Sequence, residues 1–166
     1  VFNFSDEPKH YEVPMSELGL DDAKPYTFFE FWGQKWEGVR TGALAVDVPM
    51  RSVRLFAVWE AAEHPQFVGD DRHITQGAVE LNDLKWDAAA KRYDVGLRVI
   101  GGFPLKFHVR VPANCTFAGV GTVTGGAKAT AHVVPAKGGD RPADALVTVT
   151  VDAAETCDCT VPLQFR

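Results

Sequence analysis

The chain has 166 residues, of which 46% are hydrophobic and 23% are charged, with a formal net charge of −5. This length allows one large or two small domains with a substantial core. The sequence has no run of Lys and Arg, so we expect no nucleic acid partner. No apolar stretch approaches the roughly 20 residues of a membrane helix, so we expect no membrane partner either. The five histidines are scattered rather than grouped at metal-ligand spacing. We therefore expect no cofactor and no metal.

The first part of the chain predicts short β-strands. The opening VFNF is typical of a strand already in progress, which suggests that Val1 lies inside a longer polypeptide. PYTFFEFWGQKWEGV predicts two strands that turn at Gly33-Gln34, and VRLFAVWE predicts a strand buried on both faces. Only SELGLDD has the pattern of a helical turn. The stretch EAAEHP suggests a boundary between a domain over residues 1–62 and a second one over 63–166.

The second part alternates apolar and polar residues over longer strands. Residues 93–99 and 105–111 flank the turn IGGFP and predict a hairpin with one apolar face and one solvated face, with His108 on the solvated face. Residues 147–151 and 157–165 predict two more strands, DAAAKR predicts a loop, and residues 137–144 predict a mobile loop. Gly and Pro recur at intervals of about ten residues. We therefore predict an all-β protein of two packed antiparallel β-sandwich subdomains with Greek-key connections.

The three cysteines allow several interpretations. Cys157 and Cys159 lie two residues apart, so they share the apolar face of one strand. All three cysteines can be small buried hydrophobic residues. Alternatively, Cys115 forms a disulfide with one of the pair, or the three contribute to a metal site that would still need a fourth ligand. Asn114-Cys115-Thr116 also fits a glycosylation sequon, which is a weak signal.

The segment HPQFVGDDRHITQG, residues 64–77, is the most polar cluster. Asp70 and Asp71 are adjacent and would point apart, whereas a glycosidase needs two facing carboxylates about 5–9.5 Å apart. The histidines are too far apart for a local metal motif, and a Thr75–His73 pair lacks a nucleophile turn. We therefore predict a structural corner, with a turn at 69–71, capping by one aspartate and a strand over 72–81. Arg72 would pair with a carboxylate, and His73 would hydrogen-bond at the domain junction.

A weak sugar or ion site at that junction is the alternative, with three candidate contacts: Asp71, Arg72 and His73. Trp86 is a fourth candidate, because its indole could stack on a sugar ring or instead pack beneath the following hairpin. The carboxylates of Asp21, Asp22 and Asp140 lie in predicted loops, where they are solvated or bind calcium.

Several motifs occur in a characteristic order: Phe2-Asn3, Ser5-Asp6-Glu7, Leu18-Gly19, Glu30-Phe31-Trp32, and Val48-Pro49 through Leu55. This set resembles the C-terminal β-domain that follows the catalytic barrel in α-galactosidase-type (melibiase) glycoside hydrolases. Phe4 departs from that pattern, which often has Trp or Arg. The continuation through HPQFVGDDRHITQGAVEL and VGLRVIGGFPLKFHVRVP is similar to an extension in bacterial relatives of those enzymes.

The resemblance implies a non-catalytic accessory domain involved in carbohydrate metabolism. In that family the catalytic aspartates lie on the preceding barrel, so no catalytic residue carries over to this chain, and the partner would be that barrel. The aromatic run Phe28, Phe29, Phe31, Trp32 and Trp36 would dock against the barrel or fill the domain's own core. The rival function is a carbohydrate-binding module, which would present aromatic rings beside polar groups rather than one broad apolar patch.

Overall fold

The computed structural model describes residues 1–135, 140–141 and 143–166. Over these residues the chain forms antiparallel β-sheets packed together and a single turn of 3₁₀-helix, which confirms the predicted all-β, sandwich-like fold. The contacts divide the chain into two compact units. Unit 1 comprises Val1–Ala61 with Asp140 and Arg141, and unit 2 comprises the other described residues from Ala62 to Arg166.

Unit 1 is built from seven short strands. They are β1 (Phe2–Asn3), β2 (Lys9–Pro14), β3 (Tyr26–Glu30), β4 (Lys35–Arg40), β5 (Ala43–Val48), β6 (Ser52–Val53) and β7 (Phe56–Glu60). The pairs β1–β6 and β2–β5 form two-stranded sheets, and β4-β3-β7 forms a three-stranded sheet. The 3₁₀ turn Met15–Leu18 agrees with the predicted helical turn, and it ends at Gly19 with φ 74°. The β3–β4 hairpin also turns where predicted, with Gln34 at φ 48°.

The core of unit 1 lies between β3 and β5. Leu44, Val46 and Val48 point inward from β5 while the residues between them are exposed, as a period of two requires. They meet three large side chains from the rest of the unit: Met15, Tyr26 and Phe28. The strand predicted to be buried on both faces, VRLFAVWE, is instead divided into β6 and β7 and only half-buried, because β7 lies at the edge of its sheet. The central strand β3 is the one buried throughout.

Unit 2 is a sandwich of two four-stranded sheets. Its strands are β8 (Gln66–Asp70), β9 (Leu81–Asp87), β10 (Arg92–Val99), β11 (Leu105–Val111), β12 (Phe117–Val120), β13 (Lys128–Pro135), β14 (Ala145–Asp152) and β15 (Cys157–Phe165). One sheet has the order β12-β15-β10-β9 and the other β13-β14-β11-β8. Most pairings join strands that are distant in sequence, as Greek-key connections require. The predicted β10–β11 hairpin is therefore wrong: the turn IGGFP carries the chain from one sheet to the other.

The two sheets of unit 2 bury the alternating apolar residues identified in the sequence. They include Tyr93, Val95, Leu97, Val99, Phe107, Val109, Val147, Val149, Val161 and Leu163. The other face of β11 is not solvated as predicted, because His108 is 5% exposed and Arg110 is fully buried. His108 is hydrogen-bonded to the Thr148 hydroxyl at 3.0 Å across the strand pair. Burial lowers the pKa of His108 to about 4, so the ring is neutral at pH 7.

All three cysteines are free thiols, so the disulfide alternative is wrong. Cys159 is buried on the inner face of β15 and Cys157 is half-buried beside it, in line with the shared apolar face. Burial raises the pKa of the Cys159 thiol to about 11. Half of the loop predicted to be mobile, residues 137–139 and 142, lies outside the described residues. Its described residue Asp140 bonds to Val39 O through its backbone N–H, and its carboxylate accepts from Thr41 N, both at 2.8 Å.

Candidate functional site

The segment 64–77 forms the end of a strand followed by a long turn. β8 ends at Asp70, residues 74–80 form successive turns, and β9 begins only at Leu81. The strand predicted over 72–81 is therefore wrong. Gln76 and Gly77 adopt φ values of 46° and 104°, which no extended strand accommodates. Local hydrogen bonds close the turn, from Gln76 N to His73 O at 2.8 Å and from Leu81 N to Gly77 O at 2.9 Å.

Asp70 and Asp71 fix the start of this turn. The Asp70 carboxylate accepts a hydrogen bond from Arg72 N at 2.8 Å, and that of Asp71 accepts from Lys106 N at 2.9 Å. The predicted capping of the backbone by an aspartate is thus present. Asp70 is 1% exposed, and burial raises the pKa of its carboxyl to about 6. The carboxylates of Asp70 and Asp71 therefore fix the backbone at Arg72 and Lys106.

Arg72 and His73 bind partners other than those predicted. Arg72 donates to the carbonyl oxygens of Phe103 and Pro104, not to a carboxylate. His73 Nδ1 pairs with Oε1 of the buried Glu80 within unit 2, not with a group at the domain junction. The His73 ring is half-exposed, and its Nε2 takes no part in this pair. The buried Glu80 carboxylate binds the other ring nitrogen and so fixes the orientation of the imidazole.

Arg72, His73 and Glu80 line a small cavity at this end of the sandwich. Its volume is about 60 Å³, and Val79, Ile100 and Leu105 provide its apolar wall. Small-molecule sites usually measure about 300–1,000 Å³, and a water in liquid occupies about 30 Å³. The cavity therefore has room for water but not for a sugar ring. Among the described residues that line it, Glu80 is the only carboxylate, so no two carboxylates face each other across it.

Trp86 lies apart from the other three candidates. It stands five residues beyond Leu81 on β9, which places it about 16 Å along the strand. Its ring stacks on His64, with centroids 5.7 Å apart and an interplanar angle of 9°, and meets the edge of Phe165. The His64 ring therefore occupies one face of the indole. The structure thus places Asp71, Arg72 and His73 together and leaves Trp86 in the packing beside β15.

The loop aspartates also accept hydrogen bonds from backbone N–H groups. Asp21 accepts from Ala23 N at 2.9 Å, and Asp22 accepts from Ser16 N at 2.8 Å. Across residues 1–135, 140–141 and 143–166, no group of three or more His, Cys, Asp or Glu side chains is placed to hold a metal ion. Neither the calcium alternative nor the cysteine metal site gains support from these contacts.

A groove missed at the sequence level lies at the start of unit 1. Phe2 and Phe4 are 63% and 87% exposed, and their rings are parallel with centroids 5.7 Å apart. Together with Asn3, Asp6, Arg51, Ser52 and Val53 they line an open groove of about 630 Å³, here called the Phe2–Phe4 groove. The available signal was the spacing of the two phenylalanines, since residues two apart lie on the same side of a strand.

Polar contacts, one set of them buried, hold the groove in shape. The Asn3 side-chain amide is buried and donates to Glu7 O at 2.8 Å and to Pro49 O at 3.0 Å. Arg51, at φ 47°, forms an exposed ion pair with Asp6 and donates its backbone N–H to Ser5 O. The two exposed rings are therefore presented on a fixed backbone.

The aromatic run of β3 and β4 is mostly internal. Phe28, Phe29 and Phe31 are buried, and Trp36 donates its indole N–H to Thr27 Oγ1 at 2.8 Å. Trp32 is the exposed member, at 58%. Most of this run therefore fills the chain's own interior, and Trp32 alone of the five presents a large exposed ring.

Comparisons with known proteins return no match to a family model, a curated protein or a solved structure. Within the described residues, no helix has the length and apolar character needed to cross a membrane.

Proposed function

We propose that this chain is a non-catalytic accessory region of an α-galactosidase-like glycoside hydrolase and that it packs against a separate catalytic barrel. The proposal depends on the Phe2–Phe4 groove, where two phenyl rings stand largely in solvent on a rigid backbone. Exposing apolar surface costs about 25 cal/mol per Å² relative to burying it. Exposed aromatic patches of this kind commonly mark protein interfaces.

The contacts of the polar cluster favour a non-catalytic role. The carboxylates of Asp70 and Asp71 accept from backbone N–H groups, and Glu80 binds His73 beside a cavity of about 60 Å³. A glycosidase site needs two carboxylates on opposite sides of a bound sugar. The polar cluster offers no such pair, which supports our proposal that the catalytic step belongs to another domain.

The rival function is a carbohydrate-binding module that uses the same groove. The polar groups of Asp6, Arg51 and Ser52 adjoin the two rings, and aromatic faces beside hydrogen-bonding groups suit a sugar. Against this, Asp6 and Arg51 already pair with each other. The two functions predict different ligands for the same surface.

The test begins with the reading frame that encodes this chain, which should continue upstream into several hundred residues of βα-repeat pattern. Those residues and the 166-residue chain are co-expressed, and their association is measured by analytical ultracentrifugation. We expect Phe4→Asp to weaken association about tenfold or more, because it places a charge against an apolar face. The control Val133→Asp changes an exposed residue of unit 2 and should leave association unchanged.

Hydrolysis of 4-nitrophenyl α-D-galactopyranoside separates the remaining possibilities. The upstream residues with this chain should turn over the substrate, and the chain alone should not. Turnover by the chain alone would contradict the proposal. Binding of galacto-oligosaccharides by the chain alone, lost in Phe4→Asp, with no association to the upstream residues, would establish the rival function.

A further inference from the structure

A second concave site lies in unit 1, at the β3–β4 hairpin. It is a pocket of about 330 Å³, here called the Glu30 pocket, lined by Glu30, Gly33, Lys35, Glu37, Ala45, Val46, Asp47 and Arg54. Its volume falls within the range of about 300–1,000 Å³ usual for small-molecule sites. None of these residues lines the Phe2–Phe4 groove.

The base of the pocket is a buried carboxylate held in a fixed position. Glu30 is 2% exposed, and its two oxygens accept from Gly33 N at 2.6 Å and from Trp32 N at 3.2 Å. The Arg54 guanidinium lies 3.7 Å from Glu30 Oε2. A Cβ at Gly33 would lie 2.8 Å from the same oxygen, so a larger residue there would displace the Glu30 carboxylate.

The walls carry both signs of charge in close pairs. Lys35 Nζ lies 2.8 Å from Glu37 Oε1, and the Asp47 carboxylate at the rim pairs with His10 Nδ1 at 2.8 Å. An anionic ligand would meet three carboxylates, and a cationic one would meet Lys35 and Arg54. A hydroxyl group suits both signs, because it donates to a carboxylate oxygen and accepts from an ammonium or guanidinium N–H.

From these contacts we infer that the Glu30 pocket binds a neutral polyhydroxylated ring, of the size and chemistry of a monosaccharide. Its hydroxyls would bridge the Arg54–Glu30 and Lys35–Glu37 pairs. Ala45, which is exposed and lies on the same face of β5 as Asp47, supplies an apolar contact for the C–H face of the ring. The inference stands on the pocket alone and is independent of whether the Phe2–Phe4 groove docks a barrel.

The test is saturation-transfer NMR on the 166-residue chain with D-galactose, D-glucose and D-mannose, followed by titration. We expect at least one of them to bind with a dissociation constant on the order of 1 mM, as suits a ligand of this size in an open pocket. D-glucuronate and D-glucosamine serve as charged comparisons and should bind several-fold more weakly. The absence of saturation transfer from any neutral sugar would overturn the inference.

Variants then locate the site. Arg54→Met and Asp47→Ala should each weaken binding about fivefold to tenfold, because each removes a hydrogen-bonding partner for a hydroxyl from the wall of the pocket. Lys35→Met, which changes a largely exposed side chain, provides a third variant if Arg54→Met proves poorly folded. The matched control Phe4→Ser alters the other groove and should bind normally. Equal binding by all pocket variants would mean adventitious binding, and loss in Phe4→Ser alone would move the site to the Phe2–Phe4 groove; either result overturns the inference.

Discussion

Arg110 and Asp144 form an ion pair in the interior of unit 2, and the surrounding contacts explain how two charges are accommodated there. Arg110 Nε and Nη2 lie 2.8 and 2.7 Å from Asp144 Oδ2, and both side chains are buried. Arg110 also donates to Ala62 O at 2.6 Å, while Asp144 Oδ1 accepts from Ala113 N at 3.0 Å. The pair thus joins β11 to the segments on either side of it, because each charge also binds backbone.

Removing one member of this pair leaves a buried charge without its partner, which typically costs about 3–5 kcal/mol. We therefore expect Asp144→Ala to lower the free energy of unfolding by about that amount in urea titrations followed by circular dichroism. The matched control is Asp6→Ala, which breaks the exposed pair with Arg51 and should cost at most about 1 kcal/mol. Equal losses of unfolding free energy in the two variants would show that burial does not determine how much the Arg110–Asp144 pair contributes to stability.

At the scale of single elements, alternation in the sequence predicted which residues lie inside. β15 buries every second residue as predicted, and β5 does the same, because each packs one face on a core. Alternation says nothing about the partner strand, however. The turn IGGFP was read as a hairpin, yet β10 pairs with β15 and β11 with β14, since contacts distant in sequence decide the sheet order.

The turn at 71–80 shows a second limit of local patterns. Residues 72–81 were predicted to form a strand, but Gln76 and Gly77 adopt positive φ. Close packing also favours glycine at position 77, because a Cβ there would lie 2.6 Å from the Leu81 side chain. A non-glycine residue in the left-handed region is uncommon and has no sequence signature here. The strand was therefore mispredicted.

The turn before β13 offers a matched pair of glycines. Gly125 and Gly126 have similar φ values, 71° and 78°, but a Cβ at Gly125 would lie 2.2 Å from Asp158 O, whereas one at Gly126 meets nothing within 4 Å. Gly126→Ala should cost about 1–2 kcal/mol from backbone strain alone. Gly125→Ala should cost clearly more, because the backbone of β15 must also move. Thermal unfolding of both variants measures the difference, and similar melting temperatures would contradict this account of the turn.

At the scale of the whole molecule, the sequence pointed to one of the three concave sites described above and missed the other two. Asp71, Arg72 and His73 were singled out because polar residues cluster there along the chain. The Glu30 pocket draws residues from β3, β4 and β5, and the exposure of Phe2 and Phe4 depends on what the fold leaves uncovered. The Glu30 pocket is assembled from distant segments and leaves no local pattern, so only the fold reveals it.

The pH dependence of stability also emerges only when distant residues are combined. Asp70 and His108 lie on the paired strands β8 and β11, with Asp70 opposite Phe107 and His108 opposite Gly69. Burial raises the pKa of Asp70 to about 6 and lowers that of His108 to about 4. The folded state therefore holds a proton on Asp70 that the unfolded chain releases, and excludes a proton from His108 that the unfolded chain binds.

Between about pH 4 and 6, Asp70 and His108 change the free energy of unfolding in opposite directions. Asp70 contributes stability that is present below its unfolded pKa of 3.8 and is lost as the pH rises through 6. His108 contributes stability that is present above its unfolded pKa of 6.5 and is lost as the pH falls through 4. Each shift corresponds to about 3 kcal/mol, at 1.36 kcal/mol per pKa unit. Their contributions to the free energy of unfolding therefore largely cancel across this range.

Single substitutions should reveal the opposed slopes. Asp70→Asn keeps an oxygen for Arg72 N but cannot ionise, so we expect it to raise stability at pH 7 by up to about 3 kcal/mol and to steepen the loss below pH 6. His108→Gln keeps a partner for Thr148 and should remove the loss of stability that His108 causes at acid pH. The stability of this variant should therefore rise as the pH falls from 6.5 to 4. Urea unfolding at half-unit pH steps measures both slopes, with His10→Gln as an exposed control. Because the two predicted slopes have opposite signs, parallel profiles for Asp70→Asn and His108→Gln would show that burial of these two groups does not govern the acid response.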